Sequence, residues 1–214
     1  MDWENNLIEA LERHIKEDPP SDTLYDQQFF ENLRKYRPAY HFLADLIVKH
    51  IKPKSVIDFG CGCGFILERL LMRGITDVLG IEGSEEVRPF IPESLIDHIG
   101  IADVLLVDSI GYDLAITIEV AEHIEEKNAA RFVNNICNAS DNLIWWTAAA
   151  PGQGGTGHIN CQSLCWWVDV FEDVGLFEPD WERTYHLKQE MLQNHQLSLG
   201  FPWLRDNFML MRKI

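Results

Sequence analysis

Residues 56–64, with the sequence VIDFGCGCG, constrain the possible folds of this chain more than any other segment. An apolar, β-branched run ends around Asp58, alternate glycines follow, and the apolar stretch from Phe65 to Leu71 has the composition of a helix. A strand, a glycine turn and a helix N-terminus in this order are typical of the nucleotide-binding corner of a doubly wound α/β sheet. We therefore predict a parallel sheet with its ligand at the carboxyl ends of the strands.

The spacing of the glycines indicates which kind of ligand binds there. A loop that binds pyrophosphate has the pattern G-x-G-x-x-G, with backbone amides directed at two phosphates. In this chain Gly60 and Gly62 are followed by Gly64, so the third glycine comes one residue early. The carboxylate of Asp58 would repel a pyrophosphate, whereas it would attract an ammonium group. These features argue against a nicotinamide-dependent oxidoreductase.

The glycine segment resembles motif I of the class I S-adenosylmethionine (SAM)-dependent methyltransferases, whose cofactor carries an amino-acid group and no phosphate. Three later segments resemble the family's next motifs, in order: Asp77–Ser84, Ile101–Val104 and Tyr112–His123. The resemblance covers roughly residues 36–180. It implies a Rossmann-like, doubly wound, mostly parallel seven-stranded sheet with helices on both faces.

The resemblance also implies which residues hold SAM and its product S-adenosylhomocysteine (SAH). Glu82, at the end of the second predicted strand, would accept hydrogen bonds from both ribose hydroxyls. The segment around Asp103 would contact the adenine. The full predicted set is Asp58, Gly60, Cys61, Gly62, Gly64, Ile81, Glu82, Gly83, Ala102, Asp103 and Glu119.

The length of 214 residues fits a single domain, with a helical N-terminal cap at 1–52 and a Rossmann-like core at 53–214. Apolar periodicity predicts cap helices at 3–17, 25–36 and 38–51, followed in the core by helices at 126–139 and 163–174. The cap either forms a lid over the ligand site or covers one sheet face. The last strands are predicted at 142–147, 178–183 and 207–211, and the resemblance implies that the final two form an antiparallel pair.

Composition and charge restrict the binding partners and the cellular location that we expect for this protein. The formal net charge of −16 disfavours nucleic acid and is compatible with a neutral or cationic small molecule. We find no apolar stretch of membrane-spanning length and no signal peptide, so we expect a cytoplasmic protein that does not enter membranes. Cys161 and Cys165 follow His158 at a spacing that suits either a metal site or two small side chains facing the core.

Methyl transfer needs a group that takes up the proton of the nucleophile, and two histidines are placed to do so. His123 follows the fourth predicted strand, and His158 lies in the glycine-rich loop at 151–160 that follows the fifth. We predict His158, His123 and Glu119 as the catalytic residues. The predicted reaction is transfer of a methyl group from SAM to an oxygen or nitrogen of a small molecule.

Two other functions fit the same residues. Glu119, Glu122, His123 and the later His158 resemble the divalent-metal site of small-RNA 3′-terminal 2′-O-methyltransferases. Ubiquinone-pathway O-methyltransferases have a related E-x-x-E-H stretch, and comparable stretches also occur in family members without metal. The other alternative is a SAM-binding protein without turnover.

Two tryptophan pairs flank the glycine-rich loop, at 145–146 and 166–167. Neighbouring side chains on a strand point to opposite faces of the sheet. One member of each pair would therefore point to the core and the other would line a substrate pocket. Alternatively, all four tryptophans fill the core.

Overall fold

Seven strands form one sheet in the computed structural model, which describes residues 24–107 and 111–214. The strands are β1 (Ser55–Phe59), β2 (Asp77–Glu82), β3 (Ile99–Ile101), β4 (Tyr112–Ile118), β5 (Ser140–Thr147), β6 (Phe177–Pro179) and β7 (Met209–Lys213). Their order across the sheet is β3-β2-β1-β4-β5-β7-β6. The first five run parallel, and β7 is antiparallel to both β5 and β6. The predicted mostly parallel, seven-stranded sheet is confirmed.

Helices cover both faces of this sheet, as predicted. They are α1 (Gln27–Leu33), α2 (Arg37–Leu46), α3 (Phe65–Met72), α4 (Ala129–Ala139), α5 (Leu164–Val174), α6 (Trp181–Gln193), α7 (His195–Gly200) and α8 (Trp203–Asp206). A π-helical turn, Ile47–Ile51, extends α2, and short 3₁₀ turns follow several strands. Within the described ranges, no helix has the length and apolar character needed to cross a membrane.

Two hydrophobic layers form the core, one on each face of the sheet. Side chains from α4 and α5 pack on one face, and side chains from α2, α3 and α6 pack on the other. Trp146 belongs to the first layer and Trp145 to the second, because neighbouring side chains of β5 point to opposite faces. Since both faces are covered, both tryptophans are fully buried.

The predicted strand at 178–183 is wrong in its second half. Strand β6 ends at Pro179, and α6 begins at Trp181. Asp180 caps this helix, because its side chain accepts a hydrogen bond from the backbone N–H of Arg183 at 3.0 Å. The strand prediction did not take this N-cap into account.

Two helices of the cap lie within the described part of the chain, whereas the predicted helix at 3–17 lies outside it. Helix α2 is joined to α3 by ion pairs, in which Asp45 binds Arg69 at 2.9 Å and Arg73 at 2.7 Å. The hydrogen bond from Arg69 is the main reason that the pKa of Asp45 falls to about 2. Glu68 of α3 binds Arg37 and His41 of α2 in the same way.

Candidate active site

The glycine loop after β1 follows the adjacent strand ends closely. Gly60, Gly62 and Gly64 all have positive φ, between 54° and 75°, which side-chain-bearing residues rarely adopt. The backbone N–H of Gly60 donates to the carbonyl of Ile81 at 2.8 Å. A Cβ atom on Gly60 would lie 2.5 Å from the side chain of Val120, so the loop has no room for larger residues. The loop is thereby fixed against the ends of β2 and β4.

Glu82, at the end of β2, has both carboxylate oxygens bonded to backbone. One oxygen accepts from the N–H of Gly62 and the other from the N–H of Ser84, each at 2.9 Å. Burial raises the pKa of Glu82, and these backbone hydrogen bonds partly oppose the rise. The carboxylate therefore stands at the strand end with a fixed orientation.

Asp58 lies beside this loop and is buried. Burial, with a smaller contribution from the charge of Glu82, holds the pKa of Asp58 well above its usual range. A positively charged group placed against Asp58 would favour the ionised carboxylate. The predicted preference of Asp58 for a ligand with a cationic group stays a prediction, and this burial is compatible with it.

Other predicted cofactor residues lie at or just after the ends of β2 and β3. The side chain of Ile81 points into the core, whereas Gly83 is exposed with open space around it. The N–H of Ala102 donates to the carbonyl of Glu82 at 2.9 Å. Asp103 is exposed and caps the next turn, accepting a hydrogen bond from the N–H of Leu105 at 2.8 Å.

A polar network occupies the neighbouring strand end, after β4. Glu119 has a φ of +56°, which is strained for a residue with a side chain. Its carboxylate accepts hydrogen bonds from the amides of Gln153 at 2.5 Å and Asn207 at 3.2 Å. The amide of Asn207 also donates to the side-chain oxygen of Gln153 at 2.9 Å. Burial raises the pKa of Glu119, and these bonds oppose the rise.

Glu122, one turn further on, is fully buried, and neither carboxylate oxygen has a hydrogen-bond partner among the described residues. Burial and, less strongly, the charge of Glu119 raise the pKa of Glu122 to about 8, and the backbone groups of Glu122 and Ala149 oppose the rise. The backbone of Glu122, in contrast, has hydrogen-bond partners. Its carbonyl accepts from the N–H groups of Ile159 at 3.0 Å and Asn160 at 2.9 Å.

Two histidines meet at this carboxylate. The Nε2 atom of His158 lies 3.7 Å from the nearer oxygen of Glu122, and the rings of His123 and His158 are 4.9 Å apart. Gly155 makes room for this arrangement, because a Cβ atom there would overlap the imidazole of His158. Within the described part of the chain, Glu122, His123 and His158 can each offer one ligand atom within 4.8 Å of the others. Glu119, the fourth residue of the predicted metal set, is not in this group.

The tryptophans and cysteines around the loop differ from their predicted roles. Trp145, Trp146 and Trp167 are buried in the core, so the pocket interpretation is wrong for these three rings. The half-buried Trp166 packs against the layer that contains Trp146 and Trp167. The interpretation of Cys161 and Cys165 as core-facing is also wrong. Cys161 is partly exposed, with its Sγ 3.6 Å from Nδ1 of His158, and Cys165 is exposed.

Several contributors to the site, Gln153, Asn207 and Ser84 among them, were not among the predicted site residues. Asn207 reaches Glu119 from the far end of the chain, and Ser84 bonds Glu82 through its N–H. Asn207 is 88 positions from Glu119, and no local pattern in the sequence marks it. The E-G-S segment after β2 could have suggested Ser84, because such a turn directs backbone N–H groups towards the preceding acid.

No protein-family model and no curated protein matches this sequence. Solved structures do match in fold. A SAM-dependent methyltransferase from Archaeoglobus fulgidus is 14% identical, with a TM-score of 0.60 over 87% of this chain and 99% of that one. A Nostoc punctiforme protein provisionally assigned as an O-methyltransferase is 13% identical, with a TM-score of 0.62 over 99% of this chain and 68% of that one.

A third structure of this kind is the magnesium protoporphyrin IX methyltransferase from Synechocystis with bound SAH. It is 16% identical, with a TM-score of 0.52 over 83% of this chain and 88% of that one. At such identities the likeness concerns the fold. This chain therefore has the fold of the class I SAM-dependent methyltransferases.

Proposed function

We propose that this protein transfers a methyl group from SAM to an oxygen or nitrogen of a small-molecule acceptor. The observation that carries the proposal is the pairing of a tightly fixed glycine loop with the carboxylate of Glu82 at the next strand end. This arrangement lies where ligands of open α/β sheets bind. Structures of the same fold include SAM-dependent methyltransferases, one of them with bound SAH.

In this proposal each half of the site has a separate task. Asp58 attracts the ammonium group of SAM, and Glu82 binds the ribose hydroxyls. On the acceptor side, His158 takes up the proton of the nucleophile, and His123 supports it from 4.9 Å away. Glu119 acts through Gln153 and Asn207, to which it is hydrogen-bonded, and so holds these two side chains on the acceptor side.

Calorimetric titration with SAH tests the cofactor. We expect binding in the micromolar range by the wild-type protein, weakened roughly 100-fold in Glu82→Ala, because the variant loses an oriented and largely buried carboxylate. Glu86→Ala is the matched control, since Glu86 is exposed in the turn that follows the same strand. Absence of SAH binding by folded wild-type protein would contradict the proposal.

A specific observation favours a second candidate, methylation of a hydroxyl assisted by a divalent cation. A buried carboxylate without hydrogen-bond partners is costly, and metal ligation is one of the few arrangements that offsets the cost. One carboxylate and two imidazoles suit Mn²⁺ or Zn²⁺. Glu122, His123 and His158 would hold the ion, which would lower the pKa of an acceptor hydroxyl. The net charge of −16 favours a small molecule over RNA as acceptor.

Titration with MnCl₂ at pH 8 tests this candidate without needing the acceptor. We expect binding by the wild type and its loss in Glu122→Gln, while the exposed Glu126→Gln serves as control. If the wild type binds no Mn²⁺, Zn²⁺ or Mg²⁺, the second candidate fails. SAH binding would still decide the first candidate separately.

A further inference from the structure

Gln153 lies in the glycine-rich loop at 151–160 and contacts both the network at Glu119 and the ring of His158. Its side-chain nitrogen donates to Glu119 at 2.5 Å, and its side-chain oxygen accepts from Asn207 at 2.9 Å. Its backbone carbonyl lies 3.3 Å from Nδ1 of His158. One residue therefore joins a network that is completed from the far end of the chain to a candidate catalytic histidine.

The side-chain amide of Gln153 has a single orientation that suits this network. A carboxylate only accepts hydrogen bonds, so the amide nitrogen faces Glu119. The amide oxygen then faces the amide nitrogen of Asn207, which also donates to Glu119 at 3.2 Å. The three side chains close a ring of hydrogen bonds, and all three are at least partly buried. Removal of any one of them opens the ring.

The backbone around Gln153 depends on these bonds for its position. Gly152 has a φ of +88°, and a Cβ atom on Gly152 or Gly154 would meet nothing within 4 Å. Glycines on both sides leave the chain conformationally free. The N–H of Gln153 donates to the carbonyl of Ala150 at 3.0 Å. This backbone bond and the anchored side chain together hold the carbonyl of Gln153 in place.

The ring of His158 lies between two oxygens. Nδ1 faces the carbonyl of Gln153, and Nε2 lies 3.7 Å from the nearer oxygen of Glu122. The thiol of Cys161, a weak donor, is 3.6 Å from the same Nδ1. Because a carbonyl can only accept, its contact with Nδ1 stabilises the ring form that carries a hydrogen on Nδ1. Displacement of this carbonyl therefore changes the balance between the two neutral forms of the ring.

We propose that Gln153 is a positioning residue for methyl transfer, which couples the hydrogen-bond network at Glu119 to the ring of His158. This inference rests on the proposed function, since Gln153 acts through a histidine of the same site. In the described part of the chain, Asn207 has no hydrogen bond to His158 and is connected to it through Gln153. A substitution at Asn207 thus tests the coupling from a distance.

Nitrogen-15 NMR of histidine-labelled protein, at one pH and with EDTA present, measures the ratio of the Nδ1–H to the Nε2–H form of His158. Comparison with His158→Gln assigns the signals. Gln153→Met keeps the length of the side chain and removes its polar end. We expect the ratio to fall roughly two- to tenfold in this variant, the effect of one net hydrogen bond. Asn207→Ala should lower the ratio by a smaller factor, and should add nothing in the double variant with Gln153→Met.

Two controls separate this coupling from a general change in structure. Gln193→Met makes the same substitution at the exposed end of α6 and should leave the ratio unchanged. His98 is an internal reference in every sample, because its Nδ1 lies 3.1 Å from the carbonyl of Val78 on β2. Its signals should be the same in all variants, which would show that the fold is retained.

An unchanged ratio in Gln153→Met would overturn the inference. An effect of Asn207→Ala that persists in full in the double variant would also overturn it, because the coupling would then bypass Gln153, for example through the charge interaction between Glu119 and His158. If Gln153→Met does not fold, Asn207→Ala decides alone, since an unchanged ratio there contradicts the coupling as well.

SAH titration of the wild type keeps the two proposals apart. If the wild type binds SAH and Gln153→Met keeps the wild-type ratio, only the role of Gln153 fails. If the wild type does not bind SAH, the methyltransferase proposal fails.

Discussion

Glu82 and Glu122 lie on either side of β1 at the same edge of the sheet, yet their carboxylates have opposite surroundings. Both oxygens of Glu82 accept backbone hydrogen bonds, whereas neither oxygen of Glu122 has a hydrogen-bond partner among the described residues. Burial raises the pKa of both groups, and for Glu122 it reaches about 8. Both groups are carboxylic acids, but they differ in how many hydrogen-bond partners the protein itself provides for them.

The difference indicates what each half of the site is built to do. The cofactor half is preformed, because its backbone groups fix the carboxylate before any ligand arrives. The acceptor half keeps a buried group whose ionised form is unfavourable until a cation or proton donor reaches it. A site of this kind favours binding events that supply positive charge to Glu122.

The largest expected effect is on stability. Glu122→Gln removes a group whose pKa is about 8 in the folded protein and close to 4.5 when unfolded. Between pH 4.5 and pH 8, Glu122 is ionised in the unfolded wild type but still protonated in the folded protein. The free energy of unfolding of the wild type therefore falls by roughly 1.4 kcal/mol per unit of pKa difference, or several kcal/mol in total. We therefore expect Glu122→Gln to match the wild type near pH 4 and to be more stable at pH 8. Urea unfolding at both values measures this.

The exposed Glu126→Gln should show no such pH-dependent gain. Equal stability of Glu122→Gln and wild type at pH 8 would mean that Glu122 is already satisfied. The contrast between the two carboxylates would then disappear.

The next largest effect concerns Mn²⁺ affinity. Binding at Glu122 must displace the proton that the raised pKa retains, so affinity should increase about tenfold per pH unit, or roughly 100-fold from pH 6 to pH 8. Calorimetry across this range measures the slope, which Glu122→Gln should abolish together with binding. Affinity for SAH should have the same pH profile in Glu122→Gln as in the wild type. A flat Mn²⁺ profile would place the ion elsewhere.

A smaller effect is expected from the glycines of the glycine-rich loop at 151–160. Gly155→Ala should displace the His158 ring and weaken Mn²⁺ binding roughly tenfold, because a Cβ atom overlaps the imidazole. Gly154→Ala is a matched control, since a Cβ atom there meets nothing within 4 Å. SAH binding should be the same in both variants. Loss of SAH binding in Gly155→Ala would show that the two halves are not independent.

The smallest effect is expected at Asp45, which serves as a reference for a satisfied, partly exposed carboxylate. Its pKa is lowered to about 2, mainly by Arg69, so its contribution to stability is present above pH 4 and is lost as pH falls towards 2. Because the pair is partly exposed, Asp45→Asn should cost no more than about 1 kcal/mol at pH 6. Urea unfolding at pH 6 and pH 3 should show this difference shrinking, the opposite pH dependence to Glu122→Gln.

The parts predicted from sequence are those that depend on neighbours along the chain. The strand, turn and helix around Gly60 are specified by adjacent residues, and Glu82 ends the strand that the apolar pattern marks. The motif resemblance brought Glu122 and His158 into one candidate set, and the structure places them 3.7 Å apart.

The parts that were missed depend on pairings between distant segments. Burial of both Trp145 and Trp146 follows from helices covering both faces of β5, which a strand's own sequence does not reveal. The start of α6 depends on the cap at Asp180, which the strand prediction did not take into account. Tyr25 begins a predicted cap helix, but its contacts with His123 and Ser84 join segments far apart in the sequence.

The position of Asn207 has a consequence for synthesis of the protein. Strand β7, which follows Asn207, is inserted between β5 and β6. During translation, the glycine loop and Glu82 are therefore made well before the residue that completes the network at Glu119. A nascent chain that has not reached β7 has the cofactor half in sequence, but exposes an unpaired edge of β5. The order of synthesis thus makes closure of the sheet and completion of the acceptor side one late event.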